Sequence, residues 1–151
     1  MLARLVINDA GYQLARLQAG DWAELTSLPG GPLALLPGDR SVDQGALEAA
    51  IEHAEDWLMP HAVALNGADL DVVDSTGQLA AGLREIVAAD TDEWDAEQLE
   101  ALFLEVDFMT ARPHIAVRLE ALRETVAAVV LLRELAHHAK LRRVSLRGGV
   151  L

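Results

Sequence analysis

Val126-Ala127-Ala128-Val129-Val130-Leu131-Leu132 is the stretch whose reading decides the fold. Seven apolar residues in a row leave no helix face that sits comfortably in water. The run is also far shorter than the ~20 residues a membrane span requires. On either side of it the apolar positions Ile115, Leu119, Leu122, Val126, Val129 and Leu132 follow one another at intervals of three or four, the spacing of one helical stripe. Pro113 suits a first helical position. The pattern therefore predicts a long helix from Pro113 to about Lys140, the spine of the molecule. Two readings account for its belt: a central core helix covered by sheet and other helices, which is favoured, or a face through which two copies associate as a homodimer.

Working outward from the spine, Val144-Ser145-Leu146 reads as a closing strand leading into Gly148-Gly149. Upstream, Trp94, Leu99, Leu102 and Phe103 fall on one side of a helix that begins near Asp92. Ser75 and Gln78 have capping-box spacing and open a helix through Leu79, Leu83, Ile86 and Val87. Two short apolar runs, Ala62 to Leu65 and Leu70 to Val73, flank Asn66-Gly67, the dipeptide most favoured in tight hairpins. Before them, Ser41 and Gln44 repeat the capping-box spacing, and Leu47, Ile51, Ala54 and Leu58 carry a helix that Pro60 stops. The first 40 residues read as a small meander: strands 2–8 and 12–17 about Asp9-Ala10-Gly11, a third from Trp22 to Leu28, and a short run, Leu33 to Leu36, between Pro-Gly turns. The expectation is one α+β domain over residues 1–151, with a small antiparallel sheet of N-terminal and central hairpins packed against about four helices.

Composition narrows the chemistry. The 151 residues include no cysteine, which removes disulfides, thiolate metal sites and a cysteine nucleophile, and agrees with a cytoplasmic setting. A net charge of −12 argues against a protein that grips nucleic-acid backbones. The charge is segregated: residues 41–110 carry 17 acidic side chains and one basic one, whereas residues 111–151 carry 8 basic and 3 acidic. Arg142, Arg143 and Arg147 are then best read as partners of the chain's own acids, within the fold or across a dimer. The cluster Asp90, Asp92, Glu93, Asp95, Glu97 and Glu100 is either a solvated helix start, where negative charge is favoured, or a docking surface for a basic protein partner.

Five histidines are the remaining candidates for chemistry. His53 and Asp56 stand three apart on a helix with His61 just beyond its end, enough ligands for a divalent metal or an acid–base pair. Glu134 and His137 have the Glu-x-x-His spacing of carboxylate-bridged metal bundles, but the chain holds one copy where such sites need two. Near a helix end, His137 and His138 also serve as donors to the last carbonyls. No phosphate loop, serine elbow or calcium loop is present, and no cofactor is expected. The first functional expectation is accordingly a non-catalytic binding or assembly protein that presents its acidic face to a partner. The alternatives are a small metal-assisted enzyme using the His/Asp cluster, and a small-molecule sensor.

Overall fold

The computed structural model describes residues 1–87 and 91–147, so Asp90 and the Gly148-Gly149 turn lie outside the described residues. Six strands form one mixed sheet: β1 (Leu2–Asn8), β2 (Gly11–Gln18), β3 (Asp21–Pro29), β4 (Asp69–Asp74), β5 (Glu93–Trp94) and β6 (Arg143–Arg147), in the order β3-β2-β1-β4-β6-β5. The meander β1-β2-β3 is antiparallel, as the turn residues foretell. β1 and β6 both run parallel to β4, and β5 closes the far edge antiparallel to β6. The expected small antiparallel sheet is thus corrected to a larger mixed one.

The central hairpin is the cause of that error. Val63–Leu65 forms a 3₁₀ turn rather than a strand, and the amide of Gly67 donates to the carbonyl of Ala139. β4 finds its partners at Leu2 and Arg143 instead. Leu70 and Val72 are buried on one face and Val73 on the other, while Asp69 and Asp71 on that second face stay part-exposed beside the arginines of β6.

Six α-helices accompany the sheet: α1 (Pro32–Leu35), α2 (Gln44–Leu58), α3 (Gln78–Val87), α4 (Ala96–Thr110), α5 (Pro113–Glu120) and α6 (Arg123–His138). The expected fourfold set gains α1, which takes up the short run at Leu33 to Leu36, and the expected long helix is two, α5 and α6. The caps are aspartates rather than the expected serines: Asp43, two residues after Ser41, and Asp74, one before Ser75. Asp43 Oδ1 accepts from the Ala46 amide at 2.8 Å to start α2, and Asp95 and Gln98 form a reciprocal capping box at α4.

α6 is the spine. Thr125 to Leu132 and Glu134 to Ala136 are buried, enclosed by α1, α2, α3, α4 and β6. The belt is therefore taken up inside the chain. Where α3 crosses α6, Gly82 is the reason they can meet: a Cβ there would collide with the Thr125 side chain. No helix among the described residues is long and apolar enough to cross a membrane.

The segregated charges meet within the fold. Arg142 pairs with Asp69 at 2.6 Å, Arg143 with Glu93 at 3.1 Å and Arg147 with Asp71 at 3.3 Å, so the basic last strand lies against acids of β4 and β5. On the helical side, Arg133 pairs with Glu100 at 2.7 Å, joining α6 to α4. Hydrogen bonds from Arg142 and Arg133 hold the carboxyls of Asp69 and Glu100 below their ordinary values. A carboxyl with a depressed folded pKa stabilises the protein above its unfolded pKa, about 4, and loses that contribution as pH falls through the folded value. The urea midpoint should accordingly drop as pH is taken from 7 to below 4. In Glu100→Gln the drop should be smaller, though only modestly, because this pair is partly exposed. An unchanged pH slope would show that the pair contributes nothing.

Candidate functional site

The sheet itself points to a site. From β1 the chain continues to β2 on one side, whereas from β4 it continues through α3 toward β5 and β6 on the other. In open sheets with parallel strands, ligands bind in the crevice beyond the carboxyl ends of strands at such a switch point. Here two turns lie at those ends, Asn8-Asp9-Ala10-Gly11 after β1 and Asp74-Ser75-Thr76-Gly77 after β4. They are stitched together, since the Ser75 amide and hydroxyl both donate to the Ile7 carbonyl at 3.0 and 3.1 Å.

Each turn is built by its own polar side chains. Asn8 Oδ1 accepts from the amides of Ala10 and Gly11 at 2.9 and 3.1 Å. That fixes the loop and leaves the exposed Asp9 carboxylate with no hydrogen bond or ion pair among the described residues. The buried Asp74 accepts from the Thr76 amide and hydroxyl at 2.9 and 2.5 Å and from the Leu79 amide at 2.8 Å. Its carboxylate thereby caps α3 through the Leu79 amide, while the Gln78 amide donates to the Thr76 hydroxyl at 3.1 Å. Beside this turn a crevice of about 400 Å³ opens between α3 and the α5–α6 junction, lined by Gln78, Gly82, Glu85, Glu120, Arg123 and Glu124 among others. Three acids and one arginine make it electronegative, and that arginine also donates to the Pro37 carbonyl at 2.7 Å. Tyr12, next to Gly11, is buried with an unpartnered hydroxyl. Burial first, then the carboxylates of Glu124 and Asp74, push its phenol far above the ordinary value, so it is a neutral donor at any working pH.

The residues singled out from sequence are distributed elsewhere. His53 and Asp56 are exposed on α2, His53 beside a small cavity of about 150 Å³ with Arg40 and Arg123. His61 lies in the 3₁₀ turn that follows α2. Among the described residues the group of potential metal ligands brought together is Glu55, Glu134 and His138, and it includes neither His53, Asp56 nor His61. Glu134 thus meets the neighbour of the histidine expected with it; the exposed His137 stacks edge-on against His138 at 4.9 Å. Of the acidic cluster, Glu93 pairs with Arg143, Asp95 caps α4 and Glu100 pairs with Arg133, while Asp92 contributes its carbonyl to the Leu146 amide. Glu97 lies in the first turn of α4. The crevice residues were missed. The switch-point turns beside them carry one sequence signal, that Asp9-x-Gly11 and Asp74-x-x-Gly77 each end a β-favouring run.

Comparison with known protein families gives no match, and comparison with curated proteins gives none either. Solved structures do match in fold. The Ppx/GppA enzyme of Aquifex aeolicus superposes with a TM-score of 0.68 at 11% identity, over 97% of this chain and 53% of the other. Two further structures of the Aquifex aeolicus Ppx/GppA protein, one described as a phosphatase in a type II variant, give TM-scores of 0.64 and 0.63 at 11% and 10% identity. The chain spans about half the length of these structures. The expectation of a non-catalytic protein presenting an acidic face is corrected by this likeness. The architecture recurs in enzymes, and three acids of the supposed face are engaged inside the fold.

Proposed function

We propose that the chain is a phosphatase-like domain that holds a phosphate ester or anhydride in the crevice beyond β1 and β4. The observation that carries this reading is the likeness in fold over 97% of the chain to Ppx/GppA enzymes. In support, two Asp-to-Gly turns lie side by side at the switch point, and the acidic crevice opens next to the second of them, at Gln78. Its acidic lining would repel a bare phosphate, so the substrate should enter as a complex with a divalent cation that offsets the repulsion. Asp9 is the best candidate to accept a proton from attacking water. It is exposed, it sits on the turn after β1, and no structural task engages it. Because the chain spans about half of the structures it resembles, the second wall of the site is expected from another domain or subunit.

The test is phosphate release from a generic phosphate ester and a panel of phosphoanhydrides, with and without Mg²⁺. Asp9→Asn should lower turnover by about 10²- to 10⁴-fold, the range for losing a general base, with an unchanged melting temperature. Release that survives the substitution removes Asp9 from the mechanism. No release and no ligand-dependent rise in melting temperature with any compound sinks the reading.

A second reading, a small-molecule sensor, is favoured by one observation. A groove of about 480 Å³ between α3 and α4, lined by Leu83, Ile86, Trp94 and Leu102 among others, is mostly apolar. Stabilisation by apolar compounds but not by phosphates would favour it.

A further inference from the structure

We propose that Glu55 on α2 and Glu134 and His138 on α6 form a binding site for a divalent transition metal, Zn²⁺ by preference. Three potential ligand atoms, one from each residue, lie within 4.8 Å of one another. His138 Nε2 is 3.2 Å from Glu134 Oε2 and 3.5 Å from Glu55 Oε1. In a tetrahedral site with bonds of about 2.0–2.1 Å, neighbouring ligand atoms stand about 3.3–3.4 Å apart. The two distances bracket that edge, and the third, between Glu55 and Glu134, is at most 4.8 Å, which the part-exposed Glu55 side chain can close.

Two further features separate this cluster from an ordinary surface group of charges. Glu134 is only 1% exposed, an uncommon placement for a glutamate on a core helix. Arg133 satisfies its Oε1 at 2.8 Å, while Oε2 faces the imidazole. His138 Nε2 is itself buried and makes no hydrogen bond. A buried, unbonded imidazole nitrogen beside a carboxylate oxygen of a buried glutamate is what a metal would join. The Glu55 and His138 side chains are 42% and 23% exposed, which gives an ion a way in and leaves a fourth position for water. One imidazole and two carboxylates suit Zn²⁺, Co²⁺ or Mn²⁺, and the short tetrahedral edge favours the first two.

The site is distinct from the crevice and does not rest on the phosphatase reading. Glu134 lies nine residues beyond Thr125, which lines the crevice, so the two are separated by roughly 14 Å along α6. An ion here would clamp α2 to the spine, acting on stability.

The full chain, freed of any affinity tag and stripped with chelator, should be titrated with Zn²⁺ by calorimetry and with Co²⁺ by visible absorption. One ion per chain is expected, with micromolar affinity or better, a tetrahedral Co²⁺ spectrum and a raised melting temperature. His138→Ala and Glu55→Gln, both at partly exposed positions, should each weaken binding by about 100-fold or more, whereas His137→Ala should leave it within about threefold. These bounds follow from losing a direct ligand as against a neighbouring group. No binding at millimolar metal overturns the proposal. So does affinity unchanged in His138→Ala and Glu55→Gln, or lost equally in His137→Ala, which would mark a surface histidine pair instead.

Discussion

Gly11→Ala is expected to destabilise the protein by about 3 kcal/mol or more, enough to leave a marginal domain largely unfolded. Gly11 has φ +144°, a backbone region that residues with a Cβ hardly enter. Its surroundings allow no relief, because the added carbon would overlap the Leu28 carbonyl, and Gly31 packs against the same spot. The loop after β3 is bonded to this turn through the Gly30 amide and the Ala10 carbonyl at 3.0 Å, so displacing one strand displaces the other. Gly20→Ala is the internal control. Gly20 also has positive φ, +85°, but open space where its Cβ would go, so only the conformational cost of about 1 kcal/mol applies. Urea unfolding of both variants checks the difference. Equal midpoints would mean that the Leu28 contact yields at little cost and that this turn is softer than its geometry implies.

The same region shows what could be read from the chain alone. β1, β2 and β3 are joined by short turns, so their pairing is local and their punctuation, Asp9-Ala10-Gly11 and Ala19-Gly20, is visible in the sequence. β4 is the opposite case. Its neighbours lie 67 residues upstream and 74 downstream, at Leu2↔Asp69 and Asp69↔Arg143. Nothing local specifies such pairing, and Asn66-Gly67 offers a false local substitute. A hairpin reading of β4 hides its parallel neighbours, and with them the switch point where the two Asp-to-Gly turns meet. Asp74 illustrates the consequence. On a hairpin strand it reads as a solvated acid; at the end of a buried parallel strand it is 4% exposed and holds the start of α3.

The division of the long helix was equally hidden. Arg118 to Thr125 contains no glycine or proline, and every residue there tolerates a helix. α5 packs on α4 and α6, whereas α6 has to enter the middle of the molecule against five elements, so the chain turns at Ala121-Leu122. The acidic cluster was legible as charge and illegible as contact. Arg133 to Glu100 spans 33 positions and Arg143 to Glu93 spans 50, so their pairing is a property of the fold.

Leu131→Ala should be the most costly single truncation of a side chain. Leu131 is 0% exposed and belongs to the belt at Val126–Leu132, where every residue is buried. Removing three carbons there forfeits transfer free energy and leaves a cavity that packed neighbours on all sides only partly refill, about 3–5 kcal/mol for sites of this kind. The slight gain in helix propensity from alanine, a few tenths of a kcal/mol, does not alter the sign. At about 2–4 °C per kcal/mol for a chain of this size, the melting temperature should fall by roughly 10 °C. Leu104→Ala on α4, where the leucine is 54% exposed, should change stability by about 0.5 kcal/mol or less. The comparison also decides between the two meanings of the belt. A core helix gives a large loss that is the same at every protein concentration. A self-association face gives a smaller loss and a melting temperature that rises with concentration in the parent protein. The enclosure of α6 by α1, α2, α3, α4 and β6 predicts the first result, and the second would require that this enclosure open in solution.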